Sequence, residues 1–244
     1  VRFDDQMRAV QAVTGATGEE FDKLTEKAKE LGRTTSFSAA QVAASMLELG
    51  RVGFSPKQID AAIASVLNLA RATGTELPEA ANIAAHTLRA FGLEADQMTR
   101  VADVMTATAN SSAQTLTDLG QAMVYTAPIA AEYGMTIEET NKVLGALANF
   151  GIKGSMAGTT MKNILLRLAD PAIRKQVEAL GVSVTDSSGS LRNVSDILKE
   201  VGAAVDGMPN AEKLAIFNKI FGMRAIAGGA KLTASEFECV PHWR

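Results

Sequence analysis

The residues best placed to do chemistry are those of Gly151-Ile152-Lys153-Gly154-Ser155-Met156-Ala157-Gly158-Thr159-Thr160-Met161-Lys162. Glycines and small hydroxyl residues crowd together here between two strongly helical segments. A glycine-rich stretch that opens a helix can build a phosphate cradle, because free N–H groups at a helix start attract anions. The rest of a nucleotide-binding loop is missing: no Gly-Lys-Ser/Thr ends the run, and no Val/Ile-rich strand precedes it. The alternative is steric, with small residues letting two helix backbones approach at a tight bend. That reading gives Gly151, Gly154, Ser155, Gly158 and Thr159 a structural or interaction role and calls for no cofactor.

Other reactive residues are scattered. The histidines are His86 and His242, and His86 sits mid-helix between Ala85 and Thr87 with no Cys or second His at a metal-ligand spacing. It reads as a half-buried helix residue rather than a base. There is no Gly-x-Ser-x-Gly elbow to single out a nucleophilic serine. The adjacent carboxylates Glu138 and Glu139 point to different helix faces and cannot work as an opposed pair. Placed just after Thr136, they read as first-turn charges that complement the helix dipole, and Glu19-Glu20 and Asp4-Asp5 read the same way. Glu48 has no aromatic sugar platform nearby, and aromatics make up 5% of the chain, too few for a sugar-lined cleft between two carboxylates. The expectation is no catalytic, cofactor-binding or metal site.

The elements that would position these residues are helices. Hydrophobic residues make up 47% of the 244 and charged residues 21%, a globular balance. With one Trp and two Tyr, the core must rely on Ala, Leu, Ile, Val and ten Met, and alanine has the best helix propensity. A net charge of −3 without a dense basic run argues against direct nucleic-acid binding. Cys239 is the single cysteine, so no internal disulfide is available. No apolar stretch reaches the roughly 20 residues that span a bilayer. The sequence opens on Val1 with no signal peptide and reads as an excised fragment. Its end, Glu236 to Arg244, breaks the helical pattern and reads as non-native.

Punctuation supports an all-α fold, a compact array of helical hairpins. Ser55-Pro56-Lys57-Gln58 combines an N-cap serine, proline at the first helical position and the Gln of a capping box. Its helix runs to Gly74. Thr136-Ile137-Glu138-Glu139 repeats the box and leads to Gly151. Phe21, Leu24, Ala28 and Leu31 mark an amphipathic helix ending at Gly32, and Asp170-Pro171 starts another that stops at Gly181. Pro128 should kink or restart the helix around Tyr125 and Tyr133. Gly53-Phe54-Ser55, Gly92-Leu93-Glu94 and Gly134-Met135-Thr136 recur at roughly 40-residue spacing, a helical-hairpin rhythm near that of solenoids. After Gly181, alternation in Val182-Ser183-Val184-Thr185 and a turn at Asp186 to Gly189 suggest one short β-hairpin within 182–192. Helices resume over Val194 to Val205, Asn210 to Phe221 and Met223 to Leu232, the last interrupted at Gly228-Gly229. The division this suggests is a helical lead-in over 1–14, a main domain over 15–180, a smaller helical subdomain over 181–235 and a non-native tail over 236–244.

Five blocks, in order, resemble the core region of phage tail tape-measure proteins. They are Gly53-Phe54-Ser55; Val101-Ala102-Asp103-Val104-Met105 through Ala109-Asn110-Ser111; Ala127-Pro128-Ile129-Ala130; Gly151 to Thr159; and Ile220-Phe221-Gly222. The resemblance covers about Gly15 to Leu232. It implies a structural virion protein of a tailed phage or prophage, made in the host cytoplasm and housed inside the tail tube, where such proteins set tail length during assembly. It further implies tail tube protein and tail assembly chaperones as partners, self-association aided by flanking segments, and no catalytic residues in this region. As a single helix, 244 residues would span roughly 370 Å; this chain breaks repeatedly at glycine and reads instead as one folded module. A helical-repeat interaction adaptor, or a peptidoglycan-cleaving tail enzyme, is the alternative.

Overall fold

The computed structural model describes residues 2–234, and the expected non-native tail over 236–244 lies outside them. The chain forms two compact units, Val1–Thr106 and Ala107–Arg244. The first contains α1 (Phe3–Thr14), α2 (Glu19–Thr34), α3 (Ala39–Arg51), α4 (Pro56–Thr73), α5 (Leu77–Ala90) and a 3-10 turn at Ala95–Gln97. The boundary falls within α6 (Met98–Ser111). The second unit contains α7 (Leu116–Glu132), α8 (Ile137–Asn149), α9 (Gly154–Ala169), α10 (Pro171–Glu178), α11 (Val194–Ala204), α12 (Asn210–Phe221) and α13 (Ile226–Thr233). Among the described residues there is no strand.

Four of these helices start with capping boxes. Ser38 with Gln41, Ser55 with Gln58, Thr115 with Asp118 and Thr136 with Glu139 each exchange side-chain and backbone hydrogen bonds. Each box satisfies two N–H groups that a helix start otherwise leaves unpaired. Helix ends share a second device. After the glycines at 53, 92, 134, 151 and 181, all at positive φ, an apolar residue donates its N–H five residues back. Phe54 bonds to Leu49 O at 3.0 Å, Leu93 to Leu88 O at 3.0 Å, Met135 to Ala130 O at 2.9 Å, Ile152 to Leu147 O at 3.0 Å and Val182 to Val177 O at 3.4 Å. Glycine adopts this left-handed geometry without a Cβ penalty, and the apolar residue folds back onto the helix it ends. The hairpin rhythm therefore has a shared local geometry, though Gly92 leads into the 3-10 turn while Gly53 and Gly134 lead into capping boxes.

In the first unit α3 is central and packs against α1, α2, α4 and α5. Met46 and Leu49 from α3, Ile59, Ile63 and Leu69 from α4, and Leu24 from α2 are fully buried. In the second unit Leu116 and Leu119 of α7, Leu144 and Leu147 of α8, and Met161, Ile164 and Leu165 of α9 fill the same role. Seven of the ten methionines are buried, so they mainly fill core.

Several expectations shift. The second helix runs through Gly32 to Thr34, and a Cβ at Gly32 would lie 2.6 Å from Ala39 N. That glycine admits the start of α3 rather than ending α2. Helix α7 continues through Pro128 as one element. Proline leaves the Val124 carbonyl without its helical donor, and Val124 is solvent-exposed, so water can satisfy it. The α10 helix ends at Glu178, short of Gly181. The hairpin reduces to one antiparallel bridge between Thr185 and Leu191. The intervening turn is held instead by the Asp186 carboxylate, which accepts from Ser188 N at 2.8 Å and Ser190 N at 3.0 Å. Arg192 closes the segment with bonds to Ser183 O and to both Glu200 oxygens on α11.

Candidate interaction site

The glycine-rich run ends at the crossing of α7 and α9, the most extensively packed helix pair among the described residues. Gly151 follows α8 at φ +81° with open space around it. Gly154 opens α9, and a Cβ there would lie 3.0 Å from Gln121 Oε1 and 3.8 Å from Asp118 Oδ1 of α7. Gly158 is the tightest point: its Cβ would lie 2.4 Å from Ala122 O and 3.0 Å from both Ala122 Cα and Tyr125 Cβ. The backbones meet closely enough for the buried Thr126 Oγ1 to donate to Gly158 O at 3.2 Å. Ser155 and Thr159 are on the exposed side of α9. The five motif residues are thus split between packing (Gly154, Gly158), chain reversal (Gly151) and solvent (Ser155, Thr159).

The start of α9 has no side-chain cap, but acceptor oxygens of α7 stand beside it. A carboxylate there complements the positive end of the helix dipole and opposes a phosphate at the same place. Asp118 also closes its own box, accepting from Thr115 N and Thr115 Oγ1 at 3.0 Å each, with Lys153 Nζ 3.7 Å away. The Thr115 backbone bond above all, opposed by partial burial and helped by the Thr115 hydroxyl and Lys153, holds its carboxyl below the usual range. A lowered folded-state pKa means stability that is full above the unfolded value, about 4, and lost as pH falls through the folded one. Asp118→Ala should therefore melt below the wild type at neutral pH and converge with it in acid. Thermal unfolding from pH 7 to pH 2 checks this; a constant difference across the range would contradict it.

The other face of α9 receives α13, which is one continuous helix rather than a helix broken at its glycines. A Cβ at Gly228 would lie 2.4 Å from Thr160 Cγ2 and 3.1 Å from Leu147 Cδ2; one at Gly229 would lie 2.4 Å from the Phe221 ring. A Cβ at Gly202 of α11 would lie 2.0 Å from Thr233 O at the end of α13. These three glycines form a second set of close approaches that the sequence reading missed. For Gly228 and Gly229 the signal is a glycine pair inside an apolar helical stretch, which fits a packing surface as well as it fits a break; Gly202 stands alone in α11.

Two arginines cover two of the five ordered sequence blocks, Gly53-Phe54-Ser55 and Ile220-Phe221-Gly222. Arg89 donates to Gly53 O at 2.7 Å and stacks 5.1 Å from the Phe54 ring centroid. Arg167 of α9 donates through Nε to Ile220 O at 2.6 Å and through Nη2 to Lys219 O. It thereby caps α12, and its guanidinium lies over Gly222 with Cζ 3.3 Å from where a Cβ would be. A positive charge on the last carbonyls of a helix meets the negative end of its dipole.

The remaining candidates do not gather into a site. His86 is exposed on α5 rather than half-buried. Glu138 and Glu139 are in the first turn of α8. Glu139 also accepts from Asn193 Nδ2 at 2.5 Å, so one carboxylate joins the starts of α8 and α11. No group of three His, Cys, Asp or Glu among the described residues could hold a metal ion. No described helix is long and apolar enough to cross a membrane.

The chain is 38% identical over 229 residues to the tape measure protein of Pneumococcus phage Dp-1, an overlap of 93% of this chain and 20% of that protein. It is 32% identical over 236 residues to a probable tape measure protein of Escherichia phage P2, covering 94% and 29%. A probable tape measure protein of Halomonas phage phiHAP-1 is 27% identical over 142 residues, covering 56% and 16%. The chain thus spans less than a third of the length of the curated relatives it matches. No solved structure matches it. The family of phage-related minor tail proteins matches residues 25–222, from α2 through the Gly222 that Arg167 covers, and the chain belongs to that family.

Proposed function

We propose that this chain is a folded, non-catalytic module of a tape-measure protein, acting inside the tail tube in tail assembly and tail-length determination. The observation that carries the reading is its similarity, along nearly its whole length, to two phage proteins named for that role. The longest helix among its described residues, α4, has 18 residues and measures about 27 Å at 1.5 Å per residue. The module is therefore a body rather than a ruler, and the measuring length belongs to the remainder of the longer proteins. Its partners in this reading are tail tube protein and tail assembly chaperones, with synthesis in the host cytoplasm and no direct contact with nucleic acid. In-frame removal of Gly53 to Gly222 from the parent phage should abolish tails or leave them aberrant in number and length, as seen by negative-stain microscopy. Tails of normal number and length would defeat the proposal, as would clearing of cell walls by the purified module in a peptidoglycan-hydrolysis assay.

A further inference from the structure

We propose that Asp206-Gly207, in the turn between α11 and α12, is a site of covalent self-modification, where the chain cyclises to a succinimide and reopens as isoaspartate. Of all the glycines in the sequence, Gly207 alone follows an Asp or Asn. The reaction joins the amide nitrogen of the following residue to the aspartyl carboxyl carbon. It needs those groups in contact, and glycine leaves the nitrogen unshielded. Here the Gly207 N–H donates to Asp206 Oδ1 at 3.0 Å. The nitrogen thus already touches the carboxyl group it must attack, as a near-attack arrangement requires. Gly207 holds φ at +78° and has open space around it. The Asp206 side chain is 88% exposed, which admits the water that opens the ring. Lys213 Nζ of α12 stands 3.8 Å from the same oxygen, too loose and exposed a pairing to draw the side chain off the amide.

Other aspartates are held away from this geometry. Asp22, Asp60 and Asp103 lie inside α2, α4 and α6, where the next N–H is committed to a carbonyl four residues back. The Asp186 carboxylate reaches past Ser187 to the amides of Ser188 and Ser190. Asp170 precedes Pro171, whose nitrogen has no hydrogen to lose.

The step balances within the chain. A bond forms between Gly207 N and Asp206 Cγ as a C–O bond of the protonated carboxyl breaks. The hydroxyl leaves with the amide hydrogen as one water. Hydrolysis then returns a water at either imide carbonyl. Opening at the side-chain carbonyl restores aspartate; opening at the main-chain carbonyl gives isoaspartate, with the chain running through Cβ and Cγ. The isomer lengthens by one methylene a turn that Met208 N closes onto Val205 O at 3.1 Å. That bond is lost, and buried Val205 at the end of α11 is the first core residue affected.

Peptide mapping with electron-transfer fragmentation tests the assignment on the 244-residue chain, held folded in mildly acidic buffer at physiological temperature. A species lighter by one water, then isoaspartate, should appear at Asp206 while Asp186 stays unchanged. The folded chain should convert at least as fast as the same chain unfolded in urea. Gly207→Val should slow conversion about tenfold by shielding the nitrogen and spoiling the contact. Two variants keep the glycine: Asp206→Glu, which would need a larger ring, should give no product, and Asp206→Asn should react faster with loss of ammonia. The proposal is overturned if Asp206 stays unmodified in the folded chain, whether or not the unfolded chain converts. It is equally overturned if Asp186 converts as fast, or if Gly207→Val and Asp206→Glu leave the rate unchanged.

Discussion

Replacing Gly158 with valine lowers the unfolding free energy by about 3 kcal/mol or more, the upper end of overpacking a tight contact. Intrinsic propensity argues for the opposite sign, because glycine is among the poorest residues inside a helix and alanine there is better by about 1 kcal/mol. Geometry decides the matter. A Cβ at 158 lies 2.4 Å from the Ala122 carbonyl oxygen, a backbone atom that cannot swing aside as a long side chain can. Relief requires α7 and α9 to separate, which also breaks the buried Thr126–Gly158 hydrogen bond. Gly158→Ala should already be destabilising, and valine more so because its two methyl groups extend toward Tyr125. Guanidinium unfolding followed by circular dichroism gives the comparison. A Gly158→Ala variant as stable as the wild type would show that the crossing is slack and that the glycine is not needed for approach.

Much of this fold is legible in the sequence because helix starts and ends are local chemistry. Ser55-Pro56 with Gln58, and Thr136 with Glu139, mark α4 and α8 because the bonds they make span three residues. The boundaries of α12, from Asn210 to Phe221, follow from apolar spacing and the glycine at 222, since its N-cap Pro209 makes no side-chain cap bond. The capping-box signal of α4 and α8 is also present for α3 at Ser38 with Gln41 and for α7 at Thr115 with Asp118. At α7 the box is closed by Asp rather than the more usual Glu or Gln.

What stays hidden is any feature whose cause is a distant neighbour. Glycine can end a helix or admit another backbone, and the sequence window around Gly32 or Gly228-Gly229 looks the same in both cases. Only the presence of Ala39 beside Gly32, or of Thr160 and Phe221 beside Gly228 and Gly229, separates them. Arg167 is hidden for a similar reason, since its carbonyl partners at Lys219 and Ile220 are more than fifty residues away. The hairpin expected after Gly181 shrank to one bridge because Asp186 accepts the turn's N–H groups and Arg192 anchors its return to α11. With those polar groups already satisfied, a longer ladder has little to add. In the candidate site, Gly154 and Gly158 could be picked out by composition.

Gly202→Ala carries the second large effect, and it reports on α13 rather than on α7. The added methyl would stand 2.0 Å from Thr233 O and 2.9 Å from the same carbonyl carbon, a closer conflict than at Gly158. Helix α13 is short, Ile226–Thr233, and its place depends on packing: Gly228 on Thr160 and Leu147, Gly229 on Phe221, and its last carbonyl on Gly202. An eight-residue helix is too short to persist alone in water, since nucleation outweighs the few hydrogen bonds it gains. Pushing its end away from α11 should therefore loosen the whole element, exposing Leu232 and Phe221, both buried in the wild type. The expected loss is about 2–4 kcal/mol after subtracting the roughly 1 kcal/mol that alanine gains in helix propensity. Hydrogen exchange should locate it, with amides of Ile226 to Thr233 losing protection first and those of α7 and α9 least affected. Gly207→Ala is the control, because that glycine lies outside any helix and has open space around it, so only its positive φ is strained. If Gly202→Ala proves neutral or stabilising, or if protection falls uniformly across the second unit, then α13 is not held by this contact.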